Sequence, residues 1–318
     1  MTKFFQKKLV ICQVSLANNI PIIIENYKNF TKYYSNLTFF IICPNNQVKI
    51  FKEKLNKKNI YIINEDRVFK FSKFKELCKK ILKNVNYKKK ILKRLNWYYQ
   101  QILKIVFILN NNTCKNNNLV LWDADTLILK KINFFENNKS LNYGNVFEYH
   151  KPYFLTSMNL LDVKIPNKYL SSVNQFISIN PIENKYIKKI LIKGKSKSIN
   201  ARTISKKIFK SIFKGNINFN HSMFSEYETF GLCKVFKNSN SKQRVIFFLR
   251  HKLTGKLTNL QKKICAISNC KHVTYEDHGS NNLKKKILNE DQKLLSFLKI
   301  FFKQYIKFIG RKIRYFLV

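Results

Sequence analysis

Four short apolar runs, set apart by helix-length stretches, constrain this chain more than any other feature. They are KLVICQV (8–14), LTFFIICP (37–44), NIYIIN (59–64) and LVLWDADTLIL (119–129). Each is compact and rich in β-branched and aromatic residues, as a strand buried on both faces must be. A helical pattern through Val48, Ile50, Phe51 and Leu55 lies between the second and third runs, and a long helical zone (70–110) precedes the fourth. Strand, helix, strand, helix, strand predicts an α/β fold: a mostly parallel Rossmann-type sheet covered by helices.

The remaining chain punctuates less sharply. NNNTCKNNN (110–118) reads as a polar loop, and SVNQFISINP (172–181) alternates like a strand and stops at a proline. Residues 202–214 read as a helix. The segment 284–318 reads as one basic amphipathic helix, so the expected organisation is an α/β domain over 1–280 and a basic helical tail over 281–318.

Composition narrows the function classes. Apolar residues make up 45%, enough for a core, while 61 Lys and Arg against 17 Asp and Glu leave a formal charge of +44. That excess draws polyanions. The joint abundance of Lys, Asn, Ile, Phe and Tyr equally reflects A/T-rich codons, and no helix-turn-helix, zinc or RNA-recognition signature accompanies the charge, so nucleic acid is not the expected partner. Seven scattered Cys form no disulfide framework and fit a reducing, cytoplasmic setting. Cys265 and Cys270 lack a second pair and do not make a zinc site. The first apolar run is broken by Gln13 and reads as a strand rather than a signal peptide, and no segment has the length of a transmembrane helix.

The fourth run ends in Asp123-Ala124-Asp125. Ligands of open α/β sheets bind outside the carboxyl ends of the strands, and this is such an end. Two carboxylates there repel and raise each other's pKa, which a divalent cation relieves. Mg²⁺ and Mn²⁺ typically take one or two carboxylates and fill their remaining positions with substrate phosphates and water. Asp123 and Asp125 are therefore expected to hold Mn²⁺ or Mg²⁺ and, through it, a diphosphate; helix capping by Asp123 with a solvated Asp125 is the plainer alternative. A haloacid-dehalogenase-type phosphatase also places D-x-D after an apolar strand, but Thr126 falls one position early for that pattern. A non-catalytic glycan- or polyanion-binding protein is the other alternative.

Five segments in order carry a family resemblance: NWYYQQILKI (96–105), DADT (123–126), HKPYF (150–154), SEYETF (225–230) and VTYEDHGS (273–280). They resemble a bacterial glycosyltransferase-like family of unknown function whose aspartate strand looks like the D-x-D strand of nucleotide-sugar-dependent enzymes of the GT-A fold. Asn96 stands where that family usually has Gly, and SVNQFISIN where it often has a His-His-Met segment. The resemblance implies a GT-A-like domain that moves a sugar from a nucleotide-sugar donor to a cell-surface glycan or its lipid-linked precursor.

Roles follow from that implication. Asp123 touches the metal or the ribose, and Asp125 holds the metal, with His278 as third ligand and His272 and Asp277 as rivals. Glu226 is the expected base toward the acceptor hydroxyl. The same segment also reads as a capping box of Ser225 and Glu228. Gln100 and Gln101 stand four and three residues before Lys104, so either shares a helix face with it and reaches a sugar or phosphate; Trp97 and Tyr98 on that helix read equally as packing. Glu65 and Asp66, directly after the third strand, lie at the sheet mouth where a nucleoside sits, or cap the next segment. His150 is expected near the acceptor. The tail helix is expected to rest on an anionic membrane surface, at the inner face of the membrane, or else to dock on the core.

Overall fold

The structure is a computed structural model that describes residues 8–83, 88–166, 168–192, 199–215, 222–237, 243–251, 256–275 and 290–317. The first three apolar runs become β1 (Leu9–Val14), β2 (Leu37–Cys43) and β3 (Ile60–Asn64), connected by α1 (Ile20–Tyr33) and α2 (Val48–Lys54). Then follow α3 (Phe71–Ile81), α4 (Lys88–Lys93), α5 (Leu95–Asn110) and the short α6 (Asn112–Asn116). The asparagine-rich segment expected as a loop thus contains a helical turn. Asn111 caps it, its side chain accepting from the Cys114 amide at 3.0 Å, and Cys114 is buried beneath.

The fourth run divides at the aspartates into β4 (Asn118–Trp122) and β5 (Thr126–Ile128). Three two-residue strands come next: β6 (Phe135–Glu136), β7 (Lys139–Ser140) and β8 (Tyr143–Gly144). The second half contains α7 (Lys151–Leu161), β9 (Phe176–Ile179), α8 (Pro181–Ile192), α9 (Ala201–Gly215), α10 (Glu226–Lys237), β10 (Arg244–Val245), β11 (Leu249–His251), α11 (Asn259–Ile267), β12 (His272–Tyr275) and α12 (Glu290–Leu317).

The main sheet runs β3-β2-β1-β4-β9; its first four strands are parallel and β9 is antiparallel to β4. Period-2 alternation divides the core between its faces. Val10, Cys12, Leu119 and Leu121 meet the side covered by α5, α9 and α10. Leu9, Ile11, Val120 and Trp122 meet Phe30 of α1 and Phe134 on the other side. Burial of both faces is the reason these strands read as continuous apolar runs. The expected α/β fold, with a mostly parallel sheet, covering helices and a C-terminal helix, is the one observed.

Sheet order positions the site. From β1 the chain builds β2 and β3 to one side, then returns to add β4 on the other. The carboxyl ends of β1 and β4 therefore form a switch point, the natural cleft of a doubly wound sheet. Asp123 follows Trp122 at that point. A tight turn, closed by the Thr126 amide donating to the Asp123 carbonyl at 3.1 Å, then swings β5 into a second sheet of order β11-β12-β5. The aspartates sit where the two sheets part.

Candidate functional site

Lys104 is the centre of the charge arrangement. Of the buried residues of α5, it and Gln101 interrupt an otherwise aliphatic and aromatic set. Its Nζ donates to Asp123 Oδ1 at 2.6 Å, to Glu226 Oε1 at 2.7 Å and to the Tyr227 hydroxyl oxygen at 3.2 Å. Tyr227 in turn donates to Asp123 Oδ1 at 2.6 Å. Burial alone pulls the Lys104 ammonium down, but Asp123 and Glu226 together outweigh it and hold the group above its ordinary value. Lys104 is therefore a permanent cation that α5 carries into the carboxylate cluster from below.

Glu226 opens α10 and is buried completely. Burial pushes its carboxyl upward against the pull of Lys104. The Gln101 side-chain oxygen accepts from the Glu226 amide at 3.4 Å, and its amide nitrogen, when turned over, faces the Glu226 carboxylate. Of the two glutamines, Gln101 shares the Lys104 face; Gln100 is half-buried and one step around the helix. Expected to meet an acceptor, Glu226 instead reaches Lys104 and Gln101 under the floor of the site. The expected capping box is also half made. The Ser225 hydroxyl accepts from the Glu228 amide at 3.4 Å, but the Glu228 carboxylate accepts from Ser171 at 2.7 Å and does not return to its own helix end. The two glutamates point apart, as i and i+2 on a helix must.

Asp125 lies at the turn beside this cluster. Burial, then the Asp123 carboxylate, pushes its carboxyl up to about 7, against the pull of Lys104. It accepts a long bond of 3.4 Å from the Thr126 hydroxyl, and its backbone carbonyl accepts from the Tyr275 amide at 2.9 Å. When all three are ionised, the carboxylates of Asp123, Asp125 and Glu226 outnumber the one ammonium, in a molecule whose formal charge is +44. Hard oxygen donors with unspent negative charge suit Mg²⁺ or Mn²⁺. Among the described residues, no group of three or more His, Cys, Asp or Glu side chains could hold a metal ion. The described side chains thus fit a cation only as partial ligands, with substrate oxygens and water completing the set. Asp125 and the second oxygen of Asp123 are the available donors.

His278 and Asp277 lie outside the described residues. His272, the other rival, is in β12, buried and stacked on Phe248 with 4.7 Å between ring centroids; burial, then Arg250, drives its pKa down to about 3, so it is a neutral core residue. Trp97 stacks on Tyr153 and Tyr98 is buried, its hydroxyl accepting from the Met223 amide at 3.3 Å, so both are packing residues. Glu65 sits at the carboxyl end of β3, on the same sheet edge as Asp123 but three strands across, roughly 14 Å at the usual strand spacing. Burial, then Asp66, raises its carboxyl. The cap there belongs to Asn64, whose side chain accepts from the Asp66 amide at 2.9 Å. His150 precedes α7, with Nε2 2.7 Å from the Ser222 carbonyl.

Three contributors escaped the sequence reading. Tyr227 braces Asp123. The Gln175 carbonyl accepts from the Asp123 amide at 2.9 Å and from the Tyr227 hydroxyl at 3.3 Å, with Gln175 held at a φ of 61°. Arg250 pairs with Glu148, and its guanidinium lies 3.1 Å from the Gln175 amide oxygen when that oxygen is turned toward it. Arg250 and Glu148 stand 102 residues apart, so nothing local in the sequence signals that pair. A cleft of about 520 Å³ beside Tyr33, Tyr34, Asn118 and Lys131 lies at the opposite, amino end of β1 and β4 and contains no carboxylate.

The chain matches, over residues 16–243, a family of unknown function, DUF6492. It belongs to that family. The sequences of curated proteins contain no match to it. Among solved structures, similar ones include the galactosyltransferase LgtC in complex with donor and acceptor sugar analogues, at 9% identity and a TM-score of 0.43, with 95% of each chain covered. Another is mouse xyloside xylosyltransferase 1 in its apo form, at 8% identity and 0.39, covering 86% of this chain and 98% of that one. The PaToxG glycosyltransferase is similar at 13% identity and 0.30, over 66% of this chain and 69% of that one. Likeness at this level does not carry an activity from one chain to another.

Proposed function

We propose that this DUF6492 member is a metal-dependent glycosyltransferase of GT-A-like architecture, moving a sugar from a nucleotide-sugar donor to a glycan or lipid-linked acceptor. The observation that carries the proposal is the convergence of Asp123 and Asp125 at the switch point of a parallel sheet, with a buried lysine compensating part, not all, of their charge. Asp125 and the open oxygen of Asp123 would hold Mn²⁺ or Mg²⁺. When bound, the cation supplies Lewis-acid stabilisation to a leaving diphosphate.

The protein's own groups do the positioning. Lys104 and Tyr227 clamp Asp123 Oδ1, so the aspartate presents its other oxygen in one orientation. Glu226, buried under Lys104, keeps that ammonium aimed at Asp123; on this geometry it is a positioning residue. Glu65, across the sheet edge, is placed to accept hydrogen bonds from a nucleoside. The same clamp argues against a phosphatase, in which Asp123 would need an oxygen free to attack phosphorus with little competing hydrogen bonding.

The test is thermal stabilisation by a panel of nucleotide sugars with and without Mn²⁺, since ligand that binds only the folded state raises its melting temperature. One nucleotide sugar should stabilise the protein only with the cation, and Asp125→Asn should abolish the shift. With so few protein ligands, Mn²⁺ alone should shift the melt little. A panel of UDP-, GDP-, CDP- and dTDP-sugars that left the melt unchanged with either cation would sink the proposal.

A further inference from the structure

The C-terminal helix α12 has two apolar faces, and the fold uses one. Phe297, Phe301 and Phe308 are buried against Phe247, Leu249 and Val273, with Leu294, Leu298 and Tyr305 packed around them. Gln304 fastens the helix to strand β11, accepting from the Arg250 amide at 3.1 Å and donating to the Arg250 carbonyl at 3.0 Å. Arg311 donates to the Val146 carbonyl at 2.7 Å. The helix is therefore held as part of the fold, at a fixed rotation.

That rotation leaves a second stripe in solvent: Leu295, Phe302, Ile306, Ile309, Ile313 and Phe316, between 40% and 68% exposed. From Phe302 onward the steps are four, three, four and three residues, a continuous seam along one side. Beside its last two turns runs a groove of about 700 Å³, bounded by Phe247, Ile309, Ile313 and Phe316 with Lys271 and Lys312 at its edge. Lys299, Lys303, Lys307, Lys312 and Arg314 flank or interrupt the seam, and no Asp or Glu occurs between 292 and 318.

A seam of this spacing could pair with a copy of itself or lie on a lipid surface, and charge decides between them. Pairing two copies would set lysine against lysine along the whole contact, with no carboxylate to offset them. An anionic bilayer supplies the complementary charge, and its acyl region takes exposed Phe and Ile side chains. No helix among the described residues is long and apolar enough to cross a membrane, so the contact is in the plane of the surface.

We infer that the exposed stripe of α12, with its flanking lysines and adjoining groove, is the surface by which this protein lies on anionic phospholipid. The helix is held to β11, and β11 joins through β12 to β5, which begins directly after Asp125. A bilayer bound there would sit over the same small sheet that carries the candidate site. The inference does not require the sugar-transfer reading, and the two fail separately: the nucleotide-sugar melt contains no vesicles.

The experiment is flotation of the full-length protein with vesicles of phosphatidylcholine alone and of phosphatidylcholine with phosphatidylglycerol at three to one. Binding is expected to the anionic vesicles only, weakening more than tenfold between 0.1 and 0.5 M salt. The double substitution Ile306→Glu, Ile313→Glu, both exposed and free to be polar without disturbing the core, should lower anionic-vesicle binding at least tenfold while the melt is unchanged. Undiminished flotation of that variant would overturn the inference, because the +44 charge elsewhere would then suffice. So would a wild-type dimer in sedimentation that the same substitutions dissolve, since the seam would belong to a second copy. Should the double variant melt early, Lys303→Glu, Lys307→Glu replaces it with the same two readings.

Discussion

Replacing Lys104 by Met tests whether one ammonium holds this site together. Met keeps most of the aliphatic stem and removes the charge. Lys104 is 5% exposed and Glu226 1%, so the carboxylate left behind has no water to turn to, whereas Asp123, at 27%, recovers part of its hydration. Removing one partner of a buried ion pair typically costs about 3–5 kcal/mol, mostly as the penalty of the stranded charge. The partial exposure of Asp123 places the expected loss near the lower end, about 3 kcal/mol. At roughly 2 cal/mol/K of unfolding entropy per residue, that lowers the melting temperature of a 318-residue chain by about 4–5 °C.

The pH dependence distinguishes charge loss from a packing defect. Lys104 is held above its ordinary value, so its contribution is complete below the unfolded-state pKa and does not change between pH 5 and 9. In Lys104→Met the buried Glu226 carboxylate loses its counter-charge, and its folded pKa, already raised by burial, rises further above the unfolded value near 4. A raised carboxyl makes stability fall as pH climbs from the unfolded to the folded pKa. The gap between wild type and variant should therefore widen from pH 5.5 to pH 8. Adding Glu226→Gln to Lys104→Met should recover at least half the loss by removing the stranded charge. Urea unfolding at the two pH values reads all three proteins. A variant within about 1 kcal/mol of wild type at pH 8, or a deficit flat with pH, would refute the reasoning.

Other predictions rest on single observations. Asp125→Asn should stabilise the ligand-free protein at pH 7.5, by about 1–2 kcal/mol given its partial exposure, and should give little gain near pH 4, where the wild-type carboxyl is protonated in the fold and about half protonated in the unfolded chain; calorimetry at the two pH values checks this. Glu228, also pushed up to about 7 by burial, should leave a residual downward slope of stability with rising pH in that variant. Gly231→Ala should destabilise by about 2–3 kcal/mol, because the added Cβ would lie 2.0 Å from Ser172 Oγ and 2.7 Å from the Tyr169 hydroxyl, in a packed interior; a urea midpoint unchanged from wild type would remove the steric argument. All seven cysteines are free and buried, so a thiol reagent should be slow with the native protein and titrate seven groups in denaturant.

What could be read from the chain, and what could not, follows the range of the interaction. β1 and β2 were legible because burial on both faces leaves an unbroken local signal, and β3, an edge strand with Tyr61 exposed, was legible from its β-branched run alone. The D-x-D was legible because carboxylates are scarce here and these two end an apolar strand. Lys104 was legible only through the resemblance of NWYYQQILKI and its spacing from Gln100 and Gln101. Its partners were not. The spacing of 122 residues between Lys104 and Glu226 has no local trace, and the burial of Glu226 depends on how α10 meets α5. The pattern therefore named residues that the fold brings together, but not the contact between Lys104 and Glu226. Asp123 and Glu226 read as two independent functional carboxylates, yet they share one ammonium, so their mutational effects must be coupled. A site built this way responds to Glu226→Gln through Lys104: the ammonium moves its full attraction to Asp123, whose open oxygen becomes a weaker ligand for a cation. Loss of cation-dependent nucleotide binding in Glu226→Gln, without any contact between that residue and the ligand, is what a shared lysine requires and what two independent carboxylates would not produce.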